Sequence, residues 1–324
     1  MKNIKVVSLV LLLPISFLLW SATLAFEGPV TKHGQLSVKG RFIVDKNGTP
    51  TQLKGMSLFW SQWEGGRFFN QNLVKYMAKD WKSGIIRACM GVEMGGYLEN
   101  PVIEKAKVEQ VIQGAIKNDI YVLIDYHAHY AQRSVKESKI FFAQIAQKYG
   151  HNPNVIYEIY NEPLCTWDSV KWYAEQVIDT IRKHDPDNII VVGTPRWSQL
   201  VDQAAADPIK GTNIVYTLHF YASTHKQELR DIGQIALDKN ICLMVTEFGT
   251  CQASGNGNLD LKETDKWMNW MDKNKISWCN WSICDKNESA SAVREGARSQ
   301  GNWIDSLHLT PSGVYVKAKI REGY

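Results

Sequence analysis

The stretch VIYEIYNEPL, residues 155–164, begins as an apolar and aromatic run and ends in an amide and a carboxylate, Asn161 and Glu162. An apolar run of this length is typical of a strand that is buried on both faces. A carboxylate is costly to bury unless it is paired or reaches the surface. We therefore expect the strand to end at these two residues and to present them at a site.

Seven further apolar runs accompany this stretch along the chain. Apolar strands that alternate with one-sided helices require a parallel sheet covered by helices, and eight such units fit a closed (β/α)8 barrel, the TIM barrel. An open sheet that binds a dinucleotide would usually show a glycine-rich turn after its first strand, and GMSLFWSQW (55–63) is not one. The predicted strands are 52–58, 84–91, 120–127, 155–162, 189–195, 213–220, 241–248 and 276–283.

Amphipathic segments at helical spacing separate most of these runs. One apolar stripe runs from Val170 to Ile181, with Asp168 or Ser169 as the predicted N-cap. A second begins at Pro101, and a third ends before Gly150. Between residues 196 and 212 we predict only a short helical stretch. Ahead of the barrel, residues 35–55 alternate on both sides of a turn at 46–50, which predicts an N-terminal β-hairpin.

The N-terminal residues 1–25 have the features of a secretory signal peptide. Two lysines, Lys2 and Lys5, precede an apolar run and small residues that lead to Ala25. The apolar run, residues 6–20, is short for a membrane helix, which needs roughly 20 residues. We expect residues 26–324 to form a single catalytic domain that is secreted and monomeric, with a retained membrane anchor as the alternative.

The composition argues against nucleic acid as a partner, and it does not decide whether the cysteines form disulfide bridges. The formal charge falls from +4 to +2 when residues 1–25 are removed, and no clustered basic face suggests nucleic acid. Six cysteines could form up to three disulfide bridges in an exported protein. Cys89 and Cys242 lie within apolar runs, where a buried free thiol is equally expected. Cys165 and Cys251 follow two predicted site loops, and a bridge between them would stiffen the site.

Polar and aromatic residues recur at the C-terminal ends of the predicted strands, the functional face of a barrel. Two of them are carboxylates, Glu162 and Glu247, and the bland interpretation of each is a salt-bridged or solvated side chain. Held about 5 to 5.5 Å apart, two carboxylates cleave a glycosidic bond with retention of configuration. We expect their proximity to keep Glu162 protonated while Glu247 stays ionised. The other residues at these strand ends are Arg87, His127, Asn161, His219, Tyr221 and Trp281.

Two other features allow alternative interpretations. His127 and His129 lie two residues apart on one strand face, a spacing that can bind metal, although no further ligand is obviously placed. Trp63, Trp197 and Trp281 lie near strand ends, where an indole face can stack on a sugar ring, but ordinary packing explains each of them as well.

Seven blocks of sequence in order resemble glycoside hydrolase family 5, and in particular its secreted bacterial-type endo-β-1,4-glucanases. VIYEIYNEPL resembles the family signature that ends in Asn-Glu-Pro, and VTEFGT (245–250) resembles its nucleophile strand. The likeness runs from about Gln35 to the C-terminus. The other blocks are GMSLFWSQW, IIRACMGVE, IDYH, TLHFYA and WSICDK.

The resemblance implies a role for each site residue and no metal or other cofactor. It makes Glu162 the acid/base and Glu247 the nucleophile, with Asn161 on the sugar's 2-hydroxyl group. It further implies that Arg87 and Tyr221 support the nucleophile, that His219 lies near the acid/base, that His127 and Trp281 line the sugar site, and that Trp63, Lys286 and Trp197 line more distant subsites.

The sequence therefore predicts a retaining endo-β-1,4-glucanase that acts on cellulose or soluble β-glucan. Mannan and xyloglucan are alternative substrates, because substrate choice depends on subsites rather than on the two glutamates. A glycan-binding barrel without turnover and a metal-dependent barrel hydrolase are the alternatives from other classes.

Overall fold

The computed structural model describes residues 27–322, so the predicted signal peptide lies outside the described residues. An N-terminal hairpin precedes eight parallel strands that close into a barrel, since the last barrel strand pairs with both the first and the seventh. The predicted (β/α)8 barrel with an N-terminal hairpin is confirmed. The hairpin strands are β1 (Ser37–Lys39) and β2 (Phe42–Val44), and the barrel strands are β3 (Lys54–Leu58), β4 (Ile85–Gly91), β5 (Tyr121–His127), β6 (Val155–Glu158), β7 (Ile190–Val192), β8 (Ile214–Thr217), continued by β9 (Phe220–Tyr221), β10 (Leu243–Gly249) and β11 (Trp278–Ile283).

Helices cover the outside of this barrel. Short 3₁₀ segments occur at Glu64–Phe68 and Ala131–Ser134, and a π-helical turn occurs at Met77–Trp81. No helix within residues 27–322 combines the length and the apolar character needed to cross a bilayer. The helices are α1 (Pro29–His33), α2 (Gln71–Tyr76), α3 (Pro101–Lys117), α4 (Val135–Tyr149), α5 (Trp167–Arg182), α6 (Pro195–Ser198), α7 (Val201–Ala206), α8 (Gln227–Asp238), α9 (Leu261–Asn274), α10 (Asp305–His308) and α11 (Pro311–Arg321).

Three local predictions are wrong. Strand β6 ends at Glu158, four residues before the predicted end, although the Ile159 N–H after it still donates to the Val191 carbonyl of β7 at 3.0 Å. Helix α5 is capped by Thr166, which places Asp168 inside the first turn rather than at the cap. The hairpin turns at Gly40, whose φ of 59° is left-handed, and not at residues 46–50.

The predicted turn at residues 46–50 exists as a separate loop. The side chain of Asp45 accepts hydrogen bonds from the backbone N–H groups of Asn47 and Thr49, each at 2.9 Å. This loop reverses the chain, since Val44 and Pro50 form an isolated antiparallel bridge and the Thr51 N–H donates to the Ile43 carbonyl at 2.9 Å. The two sides of the predicted turn therefore pair over a few residues, and the longer pairing is the one between β1 and β2.

The N-terminal segment closes one end of the barrel. Val30, Leu36 and Ile43 pack with inward-facing strand residues such as Leu123 and Val191 in one buried apolar cluster. The segment is also tied to the loops that precede the strands, since the Val38 N–H donates to Asn213 Oδ1 at 2.9 Å and the Gln35 amide donates to Asn188 Oδ1 at 2.8 Å. The opposite end of the barrel, at the strand C-termini, stays open for a site.

All six cysteines are free thiols. The suggested bridge between Cys165 and Cys251 is therefore absent, and Cys251 is fully buried among side chains beneath the site loops. Cys89 and Cys242 are buried free thiols, as one of the two interpretations expected.

Strands β3 and β4 lie close together at Gly55, and a larger residue at this position tests that packing. In Gly55→Ala we expect the free energy of unfolding to fall by about 3 kcal/mol, because overpacking a close backbone contact forces the strands apart. The added Cβ would overlap the carbonyl oxygen of Ile85. Urea unfolding followed by circular dichroism measures the change.

Gly48→Ala is the matched control. An added Cβ at residue 48 has no neighbour within 4 Å, although φ is 78°. Its cost should be limited to the left-handed backbone, about 1 kcal/mol. Equal losses for the two variants would contradict the close approach of β3 and β4.

Candidate active site

Two glutamates meet at the open end of the barrel. Glu247 lies within β10, and Glu162 follows the extended segment after β6. That segment remains attached to the sheet, because Ile159 N–H donates to the Val191 carbonyl at 3.0 Å. One carboxylate oxygen of Glu162 and one of Glu247 lie within 4.8 Å of each other, with a ring nitrogen of His219 in the same cluster.

Both oxygens of Glu247 accept hydrogen bonds. Arg87 Nη1 donates to Oε2 at 2.9 Å, and the Tyr221 hydroxyl donates to Oε1 at 2.8 Å. Burial and the charge of Glu247 raise the pKa of Tyr221, so this hydroxyl remains a donor at neutral pH. These contacts fix the orientation of the Glu247 carboxylate.

Arg87 lies in the middle of a buried ionic network. Its Nε donates to Glu158 Oε2 at 2.7 Å, and its Nη2 lies 3.0 Å from Asp125 Oδ2 and 2.6 Å from Asn161 Oδ1. Arg87, Asp125 and Glu158 are fully buried. Arg87 is the third residue of β4 and not late in the strand, and it supports Glu247 and Asn161 from below instead of facing the cleft.

The sequence analysis did not select Asp125 and Glu158. A signal was available, because each is an acid inside an otherwise apolar strand, a position that needs a partner. Their pairing with Arg87 depends on strand neighbourhood and could not be read from spacing alone.

Two histidines contact Glu162. His219 Nδ1 lies 3.0 Å from Oε1, and His129 Nε2 lies 3.2 Å from Oε2. The other nitrogen of His219 lies 2.7 Å from Thr246 Oγ1, which in turn donates to Glu158 Oε1 at 2.5 Å. Thr246 therefore connects the surroundings of Glu162 to the network around Arg87.

The predicted protonation of Glu162 is wrong for the ligand-free site. Burial opposes its charge, but hydrogen bonds and charge from His129 and His219 outweigh burial and lower the pKa of Glu162. Burial also opposes a charge on His219, but the carboxylates of Glu158 and Glu162 raise its pKa to about 9. The expected protonation followed from the negative charge of Glu247 alone. The two histidines beside Glu162 have the opposite effect on its pKa and outweigh that charge.

His127 contributes a neutral ring to the site. Its Nδ1 lies 2.5 Å from Asp125 Oδ2, and the ring stacks on Trp281 with centroids 5.2 Å apart and planes 4° apart. Burial and the charge of Arg87 lower the pKa of His127 to about 3. His127 and His129 thus have different partners, which disfavours the alternative that the two histidines bind one metal ion.

Two groups of side chains have ligand-type atoms within 4.8 Å of one another. One contains Cys89, Asp125 and His127, and the other contains the two glutamates and His219. Arg87 contacts a carboxylate in each group, at 3.0 Å to Asp125 and 2.9 Å to Glu247. Its positive charge disfavours a second cation in either place.

The open cleft has two halves that meet at Glu162, Tyr221 and Glu247. The larger half, the Trp197 side, is a cavity of about 510 Å³, and the smaller half, the Trp63 side, is a cavity of about 210 Å³. The Trp197 side is also lined by His129, Arg196, Gln199, His219 and His225. The Trp63 side is also lined by Phe59, Trp60, His127, Trp281 and Lys286.

Aromatic side chains lie at both ends of the cleft. Trp63 is 40% exposed and Trp197 is 47% exposed, whereas Trp281 is only 5% exposed. Trp60, which the sequence analysis did not select, lies between Trp63 and His127 with ring centroids 5.0 and 4.1 Å away. The run FWSQW (59–63) gave a signal for Trp60, since it begins directly after the first barrel strand.

Lys286 lies on the Trp63 side. Its Nζ forms an ion pair with Glu288 at 2.7 Å and lies 5.4 Å from the centroid of the Phe59 ring. The structure thus brings all the predicted site residues to the cleft or directly beneath it. The two residues beneath it are Arg87 and Asn161.

Comparisons with known proteins show the family of this chain. The family model described as "Cellulase (glycosyl hydrolase family 5)" matches residues 44–287. Endoglucanase Z of Dickeya dadantii is 51% identical over 272 residues, which are 82% of this chain and 62% of that protein. An endoglucanase of Clostridium saccharobutylicum is 45% identical over 293 residues, 89% of this chain and 65% of that protein. The chain thus spans about three fifths of the length of these relatives.

Solved structures show the same fold. A structure from Cytophaga hutchinsonii has 55% sequence identity and a TM-score of 0.89, covering 91% of this chain and 96% of its own. The catalytic domain of a Thermobifida fusca endoglucanase, in complex with cellotetraose, has 35% identity and a TM-score of 0.87, covering 91% of this chain and 99% of its own.

The buried network around Arg87 predicts a pH-dependent loss of stability. Arg87→Met leaves several buried carboxylates without their cation and should lower the free energy of unfolding by about 3 to 5 kcal/mol near neutral pH. Burial opposes the charge of Glu158, but Arg87 and His219 outweigh it and hold its pKa below the ordinary value. Ionised Glu158 therefore stabilises the wild type at pH values above the pKa that Glu158 has in the unfolded chain. This contribution disappears as the pH falls through the pKa of Glu158 in the folded protein.

The deficit of Arg87→Met relative to wild type should accordingly shrink at acid pH, where protonated carboxyl groups need no cation. Denaturant unfolding between pH 3 and 7 measures it. As a control, Arg41→Met on the hairpin should change stability little at any pH, because among residues 27–322 Arg41 has only a ring contact with Phe42. A deficit independent of pH would indicate lost packing instead of lost charge pairing.

The contact between His219 and Glu162 predicts a shift in titration. In Glu162→Gln the pKa of His219 should fall below its wild-type value, because the carboxylate that stabilises the imidazolium is replaced by a neutral amide. The chemical shifts of the His219 ring, followed by NMR against pH, measure this change. His33, at the other end of the barrel, should titrate as in the wild type, and an unchanged His219 would exclude the pairing.

Proposed function

The chain belongs to glycosyl hydrolase family 5, and we propose that it is a retaining endo-β-1,4-glucanase that cleaves internal bonds of cellulose or soluble β-glucan. The observation that carries this proposal is the approach of Glu162 and Glu247 to within 4.8 Å in an open cleft. Retaining enzymes hold their carboxyl groups about 5 to 5.5 Å apart, whereas inverting enzymes need about 6.5 to 9.5 Å for a water molecule.

In the proposed first step, Glu247 attacks the anomeric carbon and the bond to the leaving oxygen breaks. Glu162 gives a proton to that oxygen, so the leaving chain departs as a neutral alcohol and a glycosyl ester forms on Glu247. Arg87 and Tyr221 support this assignment, because their hydrogen bonds hold both oxygens of Glu247 and fix the orientation of its carboxylate.

The proton for this step must reach Glu162. In the ligand-free site the pair of His219 and Glu162 holds a proton on the His219 side, since the pKa of His219 is raised and that of Glu162 is lowered. We propose that a bound sugar displaces water from Glu162, raises the cost of its charge and moves the shared proton across the 3.0 Å contact.

In the second step a water molecule takes the place of the leaving chain. Glu162 removes a proton from the water, the resulting oxygen attacks the anomeric carbon, and the ester bond to Glu247 breaks. Two inversions at one carbon give net retention. The proton that Glu162 gave in the first step is thereby returned to it.

Asn161 is suited to bind the sugar next to the reacting bond. Its Oδ1 is held by Arg87 at 2.6 Å, which directs Nδ2 away from the network. Within the described residues Nδ2 is buried without a hydrogen-bond partner. A buried donor of this kind is costly, and the 2-hydroxyl group of a bound sugar would satisfy it.

The remaining site residues fit subsites along a glucan chain. We propose that the Trp63 side binds the non-reducing part, with His127 and Trp281 at the sugar next to the scissile bond and with Trp63 and Lys286 further away. Trp197 then lies under the leaving part. Indole faces are exposed on both sides of the glutamates. This arrangement fits a polymer that passes through the cleft better than it fits a small ligand bound at one end.

We also propose that the protein is secreted and acts as a monomer. The support for secretion is the charged and then apolar pattern of residues 1–25, which lies outside the described residues. N-terminal sequencing of the natural product would test removal of this segment, and light scattering would test the monomer.

The nucleophile assignment has a direct test. Glu247→Ala should lower the hydrolysis rate on carboxymethylcellulose by several orders of magnitude, because no carboxylate remains to form the ester. Reducing-sugar release measures the rate, and circular dichroism checks the fold. Glu175→Ala on the exposed face of α5 is the control and should keep full activity. More than a few per cent residual hydrolysis in folded Glu247→Ala would remove this residue from the mechanism.

The stereochemistry tests the carboxylate separation independently. With cellopentaose as substrate, proton NMR recorded within minutes should show the β-anomer first at each new reducing end. Initial α-anomer would mean inversion. Parallel assays on mannan and xyloglucan would show which of the polysaccharides is hydrolysed fastest. Binding of cellulose without release of reducing sugar would instead favour the non-catalytic barrel.

A further inference from the structure

The loop after β7 is built to project two side chains into the Trp197 side of the cleft. It is fixed at Ser198, whose hydroxyl donates to the Asn161 carbonyl at 2.6 Å and whose own carbonyl accepts from the His219 N–H at 2.8 Å. The Trp197 N–H reaches the Pro163 carbonyl at 3.4 Å. The loop is therefore attached to the segment that carries Glu162.

The loop also holds an unusual backbone. Arg196, Trp197 and Ser198 have φ angles of 58°, 55° and 56°, all in the left-handed region. For residues other than glycine this conformation is unfavourable, because Cβ approaches the following carbonyl oxygen. Backbone strain of this kind persists where surrounding contacts impose it and is common at functional sites. Here the contacts of Ser198 impose it, and Arg196 and Trp197 are directed outward to line the cavity.

Arg196 supplies to this cavity a positive charge that has no direct partner among the described residues. Among residues 27–322 the structure gives its guanidinium no ion pair and no hydrogen bond. The two carboxylates that line the same cavity have other partners, since Glu247 is bonded to Arg87 and Glu162 to His129 and His219. The neighbouring His225 has a pKa lowered by burial and also by the charge of Arg196, so it adds no charge at neutral pH.

An anionic sugar would need such a group. The paired glutamates give this end of the barrel a negative field, and a carboxylate on the leaving part of a chain would be repelled by it. A guanidinium matches a carboxylate with two parallel hydrogen bonds, whereas it gains little from a neutral hydroxyl group that exchanges with water. Trp197 beside it offers the stacking face that any glucose unit can use.

We propose that Arg196 makes the leaving side of the cleft selective for β-glucan chains that carry a carboxylate on their leaving part. This inference rests on the proposed endoglucanase function. The carboxylate belongs either to an oxidised chain end, as in gluconate, or to an oxidised C6 position, as in glucuronate, and the two sources present the same group at different distances from Trp197.

Three forms of cellopentaose test the proposal. One is neutral, one ends in gluconate, and one ends in glucuronate. In Arg196→Gln we expect kcat/KM at low salt to fall roughly three- to tenfold for at least one acidic form and by less than about twofold for the neutral form. The acidic form that responds identifies the source. Arg196→Lys should restore part of the difference, and the wild-type preference should shrink with added salt.

Arg41→Gln is the matched control, because it removes the same charge from the hairpin at the far end of the barrel. It should leave all three rates unchanged. Equal losses on neutral and acidic forms in Arg196→Gln, or no loss on either acidic form, would overturn the selectivity. Failure of the wild type to cleave neutral cellopentaose would contradict the proposed function instead, and calorimetric binding of the same three ligands would then still measure the discrimination by Arg196.

Discussion

The buried charge of Arg87 is the interaction on which the rest of this structure depends. Removing a guanidinium and three carboxylates from water costs several kcal/mol per ion. This cost is offset only if the ion pairs and hydrogen bonds between the groups are well aligned. The geometry exists because β4, β5, β6 and β10 are held in one barrel, so that Asp125, Glu158 and Glu247 converge on one side chain. The same hydrogen bonds that stabilise the barrel interior also orient the carboxylate that we assign as nucleophile.

One end of the barrel stabilises the fold, and the other end carries the reactive side chains. At the N-terminal end, apolar side chains and the hairpin fill the interior. At the C-terminal end the interior is ionic and the loops are open. A rigid lower half can therefore hold the polar upper half in place, and the loops above it can differ in residues such as Arg196 without loss of the fold.

The sequence predicted the elements that depend on local pattern. The apolar runs located all eight barrel strands, and their polar ends located Glu162, Glu247 and His219. It did not predict the end of β6 at Glu158, because the apolar run continues through Ile159 and Tyr160 and carries no signal of a strand end. It also missed Asp125, Glu158 and Trp60, whose importance lies in partners that are distant in sequence: Arg87 and Glu158 are 71 residues apart, and Arg87 and Glu247 are 160 apart.

The protonation of Glu162 shows why such distant contacts decide chemistry. From two like charges alone, Glu162 should hold a proton, but His129 and His219 reverse that outcome in the ligand-free site. His219 also reaches Glu158 through Thr246, and Glu158 is bonded to Arg87, which is bonded to Glu247. The two glutamates are thus joined by hydrogen bonds through the interior as well as across the cleft. A proton that moves from His219 to Glu162 removes a positive charge from one side chain and a negative charge from the other, so this transfer changes the electrostatic field at Glu247.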